Sequence, residues 1–315
     1  MNKIPLLDIL GEKPLLIDGA MGTEIQKLHP ASTDFPDGHD GFNDGLVLTH
    51  PEWIEQIHRN YLDAGADCIE TNSFGSSVIK LAEYNMSDDT IKLNKTIASL
   101  ATRVVSEYDT PKYILGSMGP SGLLPSSNNP DLGQTPLEEI KNSFYLQALG
   151  LIEGGVDALL IETSQDILEV KMAILASHMA MKKIDKRVAL IANTTLDQFG
   201  KMLLGTSIQS AYTTVSGMGI DIFGLNCSTG PIEMEQSIRW LDENTSHNLL
   251  VVPNAGMPVN QDGVAVYKMD PTNLASKMAE FLSSYPNIKL IGGCCGTTPQ
   301  HITQLRTILD ESIGN

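Results

Sequence analysis

The sequence predicts an α/β fold, a single-domain (β/α)8 TIM barrel spanning residues 1–315. Three observations predict it. Eight short apolar runs recur along the chain, each ends in polar or glycine residues, and longer amphipathic segments separate them, as in repeated strand-helix units. A chain of 315 residues, 42% of them hydrophobic, can bury one large core, and barrels of this length are commonly one domain.

The apolar runs are Leu15 to Ala20, Ala66 to Phe74, Tyr113 to Gly119, Asp157 to Thr163, Val188 to Thr195, Ile220 to Cys227, Leu249 to Gly256 and Ile288 to Cys295. Between them, Ile54, Ile57, Tyr61 and Leu62 recur at helical spacing in Pro51 to Gly65, with Gly65 ending the helix. Thr135-Pro136 followed by Glu138 reads as a cap, a first-turn proline and a capping-box acid. Asp270-Pro271 and Thr298-Pro299 repeat the cap-plus-proline pattern. The segment His29 to Gly45, rich in Asp, Gly and Pro, reads as an irregular rim loop after the first strand, and Leu123 to Gln134 reads the same way after the third.

The balance of 21 Lys plus Arg against 38 Asp plus Glu gives a net charge of −17. That argues against nucleic acid or an anionic membrane as partner, and a solvated acidic surface accounts for it without any ligand. No apolar stretch approaches the roughly 18 residues of a membrane span, and no secretory start is recognisable. The expectation is a soluble cytoplasmic protein. Four cysteines are few for this length and fit a reducing compartment better than a disulfide framework.

Three of those cysteines, Cys227, Cys294 and Cys295, fall where apolar runs end. Neighbouring side chains on a regular strand point to opposite faces, so Cys294 and Cys295 converge only if the backbone bends, which the flanking glycines permit. Three thiolates at strand ends suit a thiophilic tetrahedral ion, and zinc with one open position is the usual occupant of a three-ligand site. Two duller readings stand beside this one. A vicinal Cys294-Cys295 disulfide would need a strained ring, and a closed structural zinc site would need a fourth Cys or His, whereas Cys68 lies far off in sequence.

Active sites in this fold are built at the C-terminal ends of the strands. The polar residues there are Asp18; Glu70, Thr71 and Asn72; Ser117; Glu162 and Thr163; Asn193 and Thr194; Asn226; Asn254; and the cysteines. Glu70 and Glu162 can simply accept loop hydrogen bonds, Asp18 can shape a turn, and Cys68, inside an apolar run, reads as core. None of the seven histidines ends a strand, which speaks against a His-based metal or acid-base site; His58 and His301 read as surface or packing residues of helices.

The strings Asp18-Gly19-Ala20-Met21-Gly22-Thr23, Glu70-Thr71-Asn72, Gly224-Leu225-Asn226-Cys227, Pro253-Asn254-Ala255-Gly256 and Gly292-Gly293-Cys294-Cys295-Gly296-Thr297-Thr298-Pro299 resemble those of the zinc-dependent homocysteine S-methyltransferases. Within that family the chain most resembles the homocysteine-binding barrels of cobalamin-dependent methionine synthases, from about Leu15 to about His301. The resemblance implies that Cys227, Cys294 and Cys295 hold Zn2+ and that the sulfur of L-homocysteine takes the fourth place, with Asn254 as its placeholder. It implies that Asp18 and Glu162 receive the substrate ammonium, that backbone amides around Gly22 and Thr23 take its carboxylate, and that Asn72 and Asn226 are supporting polar groups. It also implies methylcobalamin, on a partner corrinoid domain or protein, as methyl donor. No cobalamin- or folate-binding segment is recognisable here, so the expectation is an excised domain or a stand-alone subunit.

The chemistry agrees. A free thiol with a pKa of about 8.5 is mostly protonated at neutral pH, and zinc binds the reactive deprotonated form. Three thiolates around Zn2+ leave a formal charge of −1, which keeps a bound substrate sulfur electron-rich and favours alkyl transfer over water activation. The alternatives are a self-contained enzyme using betaine or S-methylmethionine and a non-catalytic zinc-stapled binding module. Against betaine, no aromatic cage for a quaternary ammonium stands out, with only Trp53 and Trp240 available.

Overall fold

The structure, a computed structural model, describes residues 3–261 and 264–313. Its eight barrel strands are β1 (Leu15–Leu16), β2 (Cys68–Glu70), β3 (Tyr113–Met118), β4 (Ala158–Ile161), β5 (Ala189–Thr194), β6 (Ile222–Asn226), β7 (Asn248–Val252) and β10 (Ile288–Ile291). Each lies in one of the eight apolar runs, Asn248 alone falling a residue outside. They pair in parallel in the order β1-β10-β7-β6-β5-β4-β3-β2. A parallel bridge between Ile17 and Cys68 closes the ring, with Asp18 N donating to Cys68 O at 3.0 Å and Asp67 N to Leu16 O at 2.7 Å. The fold is therefore the expected (β/α)8 barrel.

Strand side chains alternate between two cores. Leu15, Ile17, Cys68, Leu115, Leu160, Ile191, Ile222, Leu250, Val252 and Leu290 fill the lumen, and Leu6 and Leu10 of the short helix Leu6–Leu10 join them. Leu16, Ile69, Ile114, Leu159, Leu190, Phe223, Val251 and Ile291 face the outer helices. Cys68, fully buried in the lumen, is a core residue, as expected. Continued by one more step of two, the lumen register of β2 to β5 and β7 runs into Glu70, Ser117, Glu162, Asn193 and Asn254, and two steps on in β6 and β10 into Asn226 and Cys294. The period that builds an apolar lumen thus delivers polar groups to one mouth.

The helix Pro51–Asp63 buries Ile54, Ile57, His58, Tyr61 and Leu62 and is followed by Gly65 at φ +106°. His58 is a packing residue, fully buried with both ring nitrogens lacking a hydrogen-bond partner. Asp270 caps the helix Pro271–Ser284 by accepting from Asn273 N. Thr298 precedes the helix Pro299–Ile313, and its backbone N donates to His301 Nδ1 at 3.2 Å. His301 Nε2 lies 3.1 Å from Met269 O, so Nε2 carries the proton and Nδ1 accepts, and His301 acts within its own capping turn.

Two expectations need correction. Thr135 caps nothing: the helix Leu137–Gly154 has the extended Pro136 in the N-cap position and no side-chain cap. The segment 29–45 is less irregular than its composition suggests. Three short 3-10 turns, Ser32–Asp34, Pro36–Gly38 and Asn43–Gly45, fold it around buried Phe35 and Phe42, and Phe42 stacks on Tyr84 at 4.1 Å. An antiparallel hairpin of β8 (Val259–Gln261) and β9 (Val264–Val266) stands after β7, outside the barrel. Among the described residues no helix is long and apolar enough to cross a membrane.

Candidate functional site

Cys227 leaves the end of β6 in the left-handed region, φ 61°, and Ser228 repeats it at 62°. Two successive non-glycine residues there are unusual, and local hydrogen bonding holds them: Cys227 N donates to Val252 O at 3.1 Å and Thr229 N to Cys227 O at 2.7 Å. The loops after β6, β7 and β10 are laced together by Asn254 N to Thr229 O, 3.0 Å, Cys294 N to Pro253 O, 2.8 Å, and Ala255 N to Cys295 O, 3.0 Å.

The bend that brings Cys294 and Cys295 together has two glycines with different duties. A Cβ on Gly293 would stand 2.5 Å from Thr297 Cγ2, so glycine is needed for close approach. Gly296 has φ +78°, the left-handed region that glycine enters freely. Thr297 Oγ1 ties the turn by donating to Cys294 O at 2.6 Å and accepting from Ala20 N at 3.3 Å.

As a result the sulfurs of Cys227, Cys294 and Cys295 all lie within 4.8 Å of one another, with Cys227 and Cys295 at 3.8 Å. All are free thiols, so the vicinal disulfide is not formed. Among the described residues this is the one Cys/His/Asp/Glu group with metal-binding geometry, and it contains no fourth Cys or His. Nearby, Asn254 is buried and its Oδ1 has no hydrogen-bond partner. An unpaired buried carbonyl oxygen is costly; three sulfurs and one spare oxygen fit a tetrahedral thiophilic ion with a replaceable fourth ligand. Hydrogen bonds from Cys227 and Cys294 hold Cys295 well below the usual thiol range. Cys294 is pushed up by its hydrogen bonds to Cys227 and Cys295 and by burial.

Three carboxylates approach the same mouth. Glu162 Oε1 accepts from Ser117 Oγ at 2.5 Å and Oε2 from Asn226 Nδ2 at 3.2 Å. Burial still pushes its carboxyl up to about 7. Asp18 Oδ2 accepts from Glu70 N at 3.1 Å, whereas its buried Oδ1 has no partner. Burial raises Asp18, and the backbone hydrogen bond from Glu70 only partly offsets this. Glu70 is raised by burial and by the nearby Glu162 and Asp18 charges. Acids gathered out of water around an unpaired oxygen are suited to a cation that enters with the ligand.

Asn226 is an organiser of this wall. Its Oδ1 accepts from Thr163 N at 2.9 Å, and its Nδ2 also donates to Thr163 Oγ1 at 2.8 Å. Gly22 and Thr23 lie in the first turn of the helix Met21–Lys27. A Cβ on Gly22 would meet nothing within 4 Å, so packing does not require glycine there, and open space faces it. Thr23 Oγ1 accepts from Gly296 N at 3.3 Å, joining this turn to the cysteine loop. Asn72 donates to Asn43 O at 2.8 Å and Gly75 N donates to Asp44 Oδ2 at 2.9 Å, which bolts the 29–45 segment to the end of β2. Ser126 N donates to Asp166 Oδ2 at 2.7 Å and Ser121 N to Glu169 Oε1 at 2.9 Å, fastening the 123–134 segment likewise.

Two of the strand-end polar residues, to which the sequence gives no role, also reach the mouth, and one further residue joins them from outside the strand ends. Ser117 holds Glu162. Asn193 is buried with Oδ1 unpaired, and a Cβ on Gly224 would stand 2.3 Å from that oxygen. Both lie on the lumen register, one step beyond Leu115 and Ile191. Tyr267, which packs against Gly296 beside the cysteines, follows the hairpin and ends no apolar run; no signal in the sequence marks it.

A sequence profile of the family described as homocysteine S-methyltransferase matches residues 15–309. Over 303 residues the chain is 41% identical to the methionine synthase of Mycobacterium tuberculosis (strain ATCC 25618 / H37Rv), an alignment covering 95% of this chain and 25% of that protein. It is 40% identical to the methionine synthase of Mycobacterium leprae (strain TN), covering 95% and 24%. The chain spans about a quarter of the length of these curated relatives. Its fold is similar to that of the homocysteine methyltransferase MmuM from Escherichia coli. The TM-score is 0.76 for the oxidized form and 0.75 for the metallated form, each at 22% identity over 96% of this chain and 99% of that one.

Proposed function

Because the chain belongs to the homocysteine S-methyltransferase family, we propose that it binds Zn2+ through Cys227, Cys294 and Cys295 and methylates the thiol of L-homocysteine to give methionine. The observation that carries this reading is the meeting, at one barrel mouth, of three sulfurs within 4.8 Å of one another and the buried acids Asp18 and Glu162. Zinc bound there keeps the substrate sulfur as thiolate at neutral pH.

The remaining work belongs to the side chains. Asn254 Oδ1, buried and without a hydrogen-bond partner, would stand in as an oxygen ligand beside the three sulfurs in the absence of substrate. Asp18, through its unpaired Oδ1, and Glu162 receive the substrate ammonium, whose charge replaces the protons that burial otherwise holds on these acids. Amides around Gly22 and Thr23 take the substrate carboxylate. Asn226 and Ser117 fix Glu162, and Asn72 fixes the rim beside it. The substrate sulfur attacks the donor's methyl carbon, and the new sulfur-carbon bond forms as the bond to the donor breaks. The product is a neutral thioether, a weak ligand, and leaves.

Methylcobalamin on a corrinoid domain or protein is the proposed donor. Relatives named methionine synthase that are about four times as long support it, since this chain matches only a quarter of them. We read residues 1–315 as one homocysteine-binding domain working in the cytoplasm. The test is methionine formation from L-homocysteine with methylcobalamin, S-methylmethionine and betaine supplied in parallel, before and after zinc removal. Product with methylcobalamin that disappears on chelation and returns with Zn2+ supports the reading; product undiminished without zinc contradicts it.

A further inference from the structure

Tyr61 belongs to neither of the two segments that it joins. It comes from the helix Pro51–Asp63, is fully buried, and donates its hydroxyl to Ala20 O at 3.1 Å, with Thr297 O 3.5 Å from the same oxygen. Ala20 follows β1 and Thr297 follows β10, so one phenol holds both segments of the mouth. The segments are also stitched to each other directly. Gly293 N donates to Asp18 O at 3.2 Å, Ala20 N to Thr297 Oγ1 at 3.3 Å and Gly296 N to Thr23 Oγ1 at 3.3 Å. Gly19 lies where the seam closes: a Cβ there would stand 2.8 Å from Tyr61 Cε1 and 2.9 Å from Thr297 Oγ1.

The two segments carry opposite ends of the proposed substrate site. Asp18, Gly22 and Thr23 lie in the first, and Cys294 and Cys295 in the second. The span between the amino-acid end of the substrate and its sulfur is therefore set by how the segments are stitched. A buried seam does not stretch to suit a ligand, because each polar group left unpaired costs free energy. A thiol one methylene shorter or longer than homocysteine is out by about 1.5 Å, one carbon-carbon bond, and a misplacement of about 1 Å can cost on the order of a hundredfold. We propose that Tyr61 is a specificity-determining positioning residue, which acts through Ala20 and Thr297 to fix that span and so selects homocysteine by the length of its side chain. The proposal rests on the zinc and homocysteine reading above and deepens it.

The test is Tyr61→Phe in the full chain, which keeps the buried ring and removes only the hydroxyl. Calorimetric titration of the zinc-loaded protein reads the affinity for L-homocysteine, for L-cysteine, one methylene shorter, and for the homologue one methylene longer. The wild type is expected to prefer homocysteine to both. In Tyr61→Phe, with zinc content unchanged, homocysteine should lose about three- to tenfold in affinity and the other two thiols little, so that the preference narrows. Should that variant fold poorly, Thr297→Val removes the hydroxyl that accepts from Ala20 N and should narrow the preference likewise, whereas Thr297→Ser keeps the hydroxyl and should keep the preference. Affinities that fall equally for all three thiols mean a packing role and overturn the proposal. So does an unchanged affinity for each, or a wild type that binds the three alike. A wild type that takes up no zinc, or takes it up and binds none of the three, overturns the homocysteine reading itself, which keeps the two failures distinct.

Discussion

Asn226 donates from Nδ2 to Glu162 Oε2 at 3.2 Å while its own chain continues directly into Cys227. One residue at the end of β6 therefore orients the acid proposed for the substrate ammonium and begins the turn that sets a metal ligand. The two ends of the substrate site are built on a single strand end, rigid because Thr163 and Thr195 also bond to Asn226.

Glu162→Gln keeps the hydrogen bond from Ser117 but removes the charge. Homocysteine affinity is expected to fall at least tenfold, the scale of a charge-assisted hydrogen bond, with zinc content unchanged. Calorimetric titration of the zinc-loaded protein reads this directly, and equal affinity would remove Glu162 from the site.

Cys294→Ala should abolish zinc binding with little change in circular dichroism. The closed eight-stranded barrel and its two apolar cores do not depend on one metal. A cooperative collapse on this substitution would favour a zinc-stapled scaffold over a catalytic centre.

Gly22 and Gly293 should respond differently to alanine. At Gly22 the new methyl meets nothing within 4 Å, so thermal stability is expected to hold while homocysteine binding weakens, the methyl occupying ligand space. At Gly293 it would stand 2.5 Å from Thr297 Cγ2, and a loss of about 1–3 kcal/mol is expected from overpacking. Equal homocysteine affinity in Gly22→Ala would place the substrate carboxylate elsewhere.

Asp44, buried on the rim, has its carboxyl pushed by burial from 3.8 up to about 7, against the hydrogen bond from Gly75. Between those values the folded protein holds a proton that the unfolded chain has lost, so this group's contribution to stability falls as pH rises from about 4 to about 7 and then levels off. Asp44→Asn keeps an acceptor for Gly75 and cannot titrate. Melting temperatures of variant and wild type should therefore diverge, in favour of the variant, across that window. A gap independent of pH would mean that Asp44 stays ionised throughout.

The barrel was legible because parallel strands buried on both faces read as near-continuous apolar runs, and each of the eight runs became a strand. The cysteine triad was legible because strand ends in this fold converge on one face. What escaped notice has physical causes. The hairpin Val259–Gln261 with Val264–Val266 pairs two three-residue strands outside the barrel, too short for a periodic signal. Tyr267 comes to rest on Gly296 through the return of that hairpin, a tertiary contact that no local pattern announces. Thr135 carried a cap signal that the extended Pro136 took over.

The central claim is an open zinc site that takes substrate sulfur, and zinc-edge X-ray absorption with and without L-homocysteine, alongside metal content, tests it most directly. The account expects one zinc per chain, with three sulfurs and one lighter atom alone and four sulfurs with homocysteine. A shell unchanged by homocysteine, or a protein that binds no zinc, would contradict it.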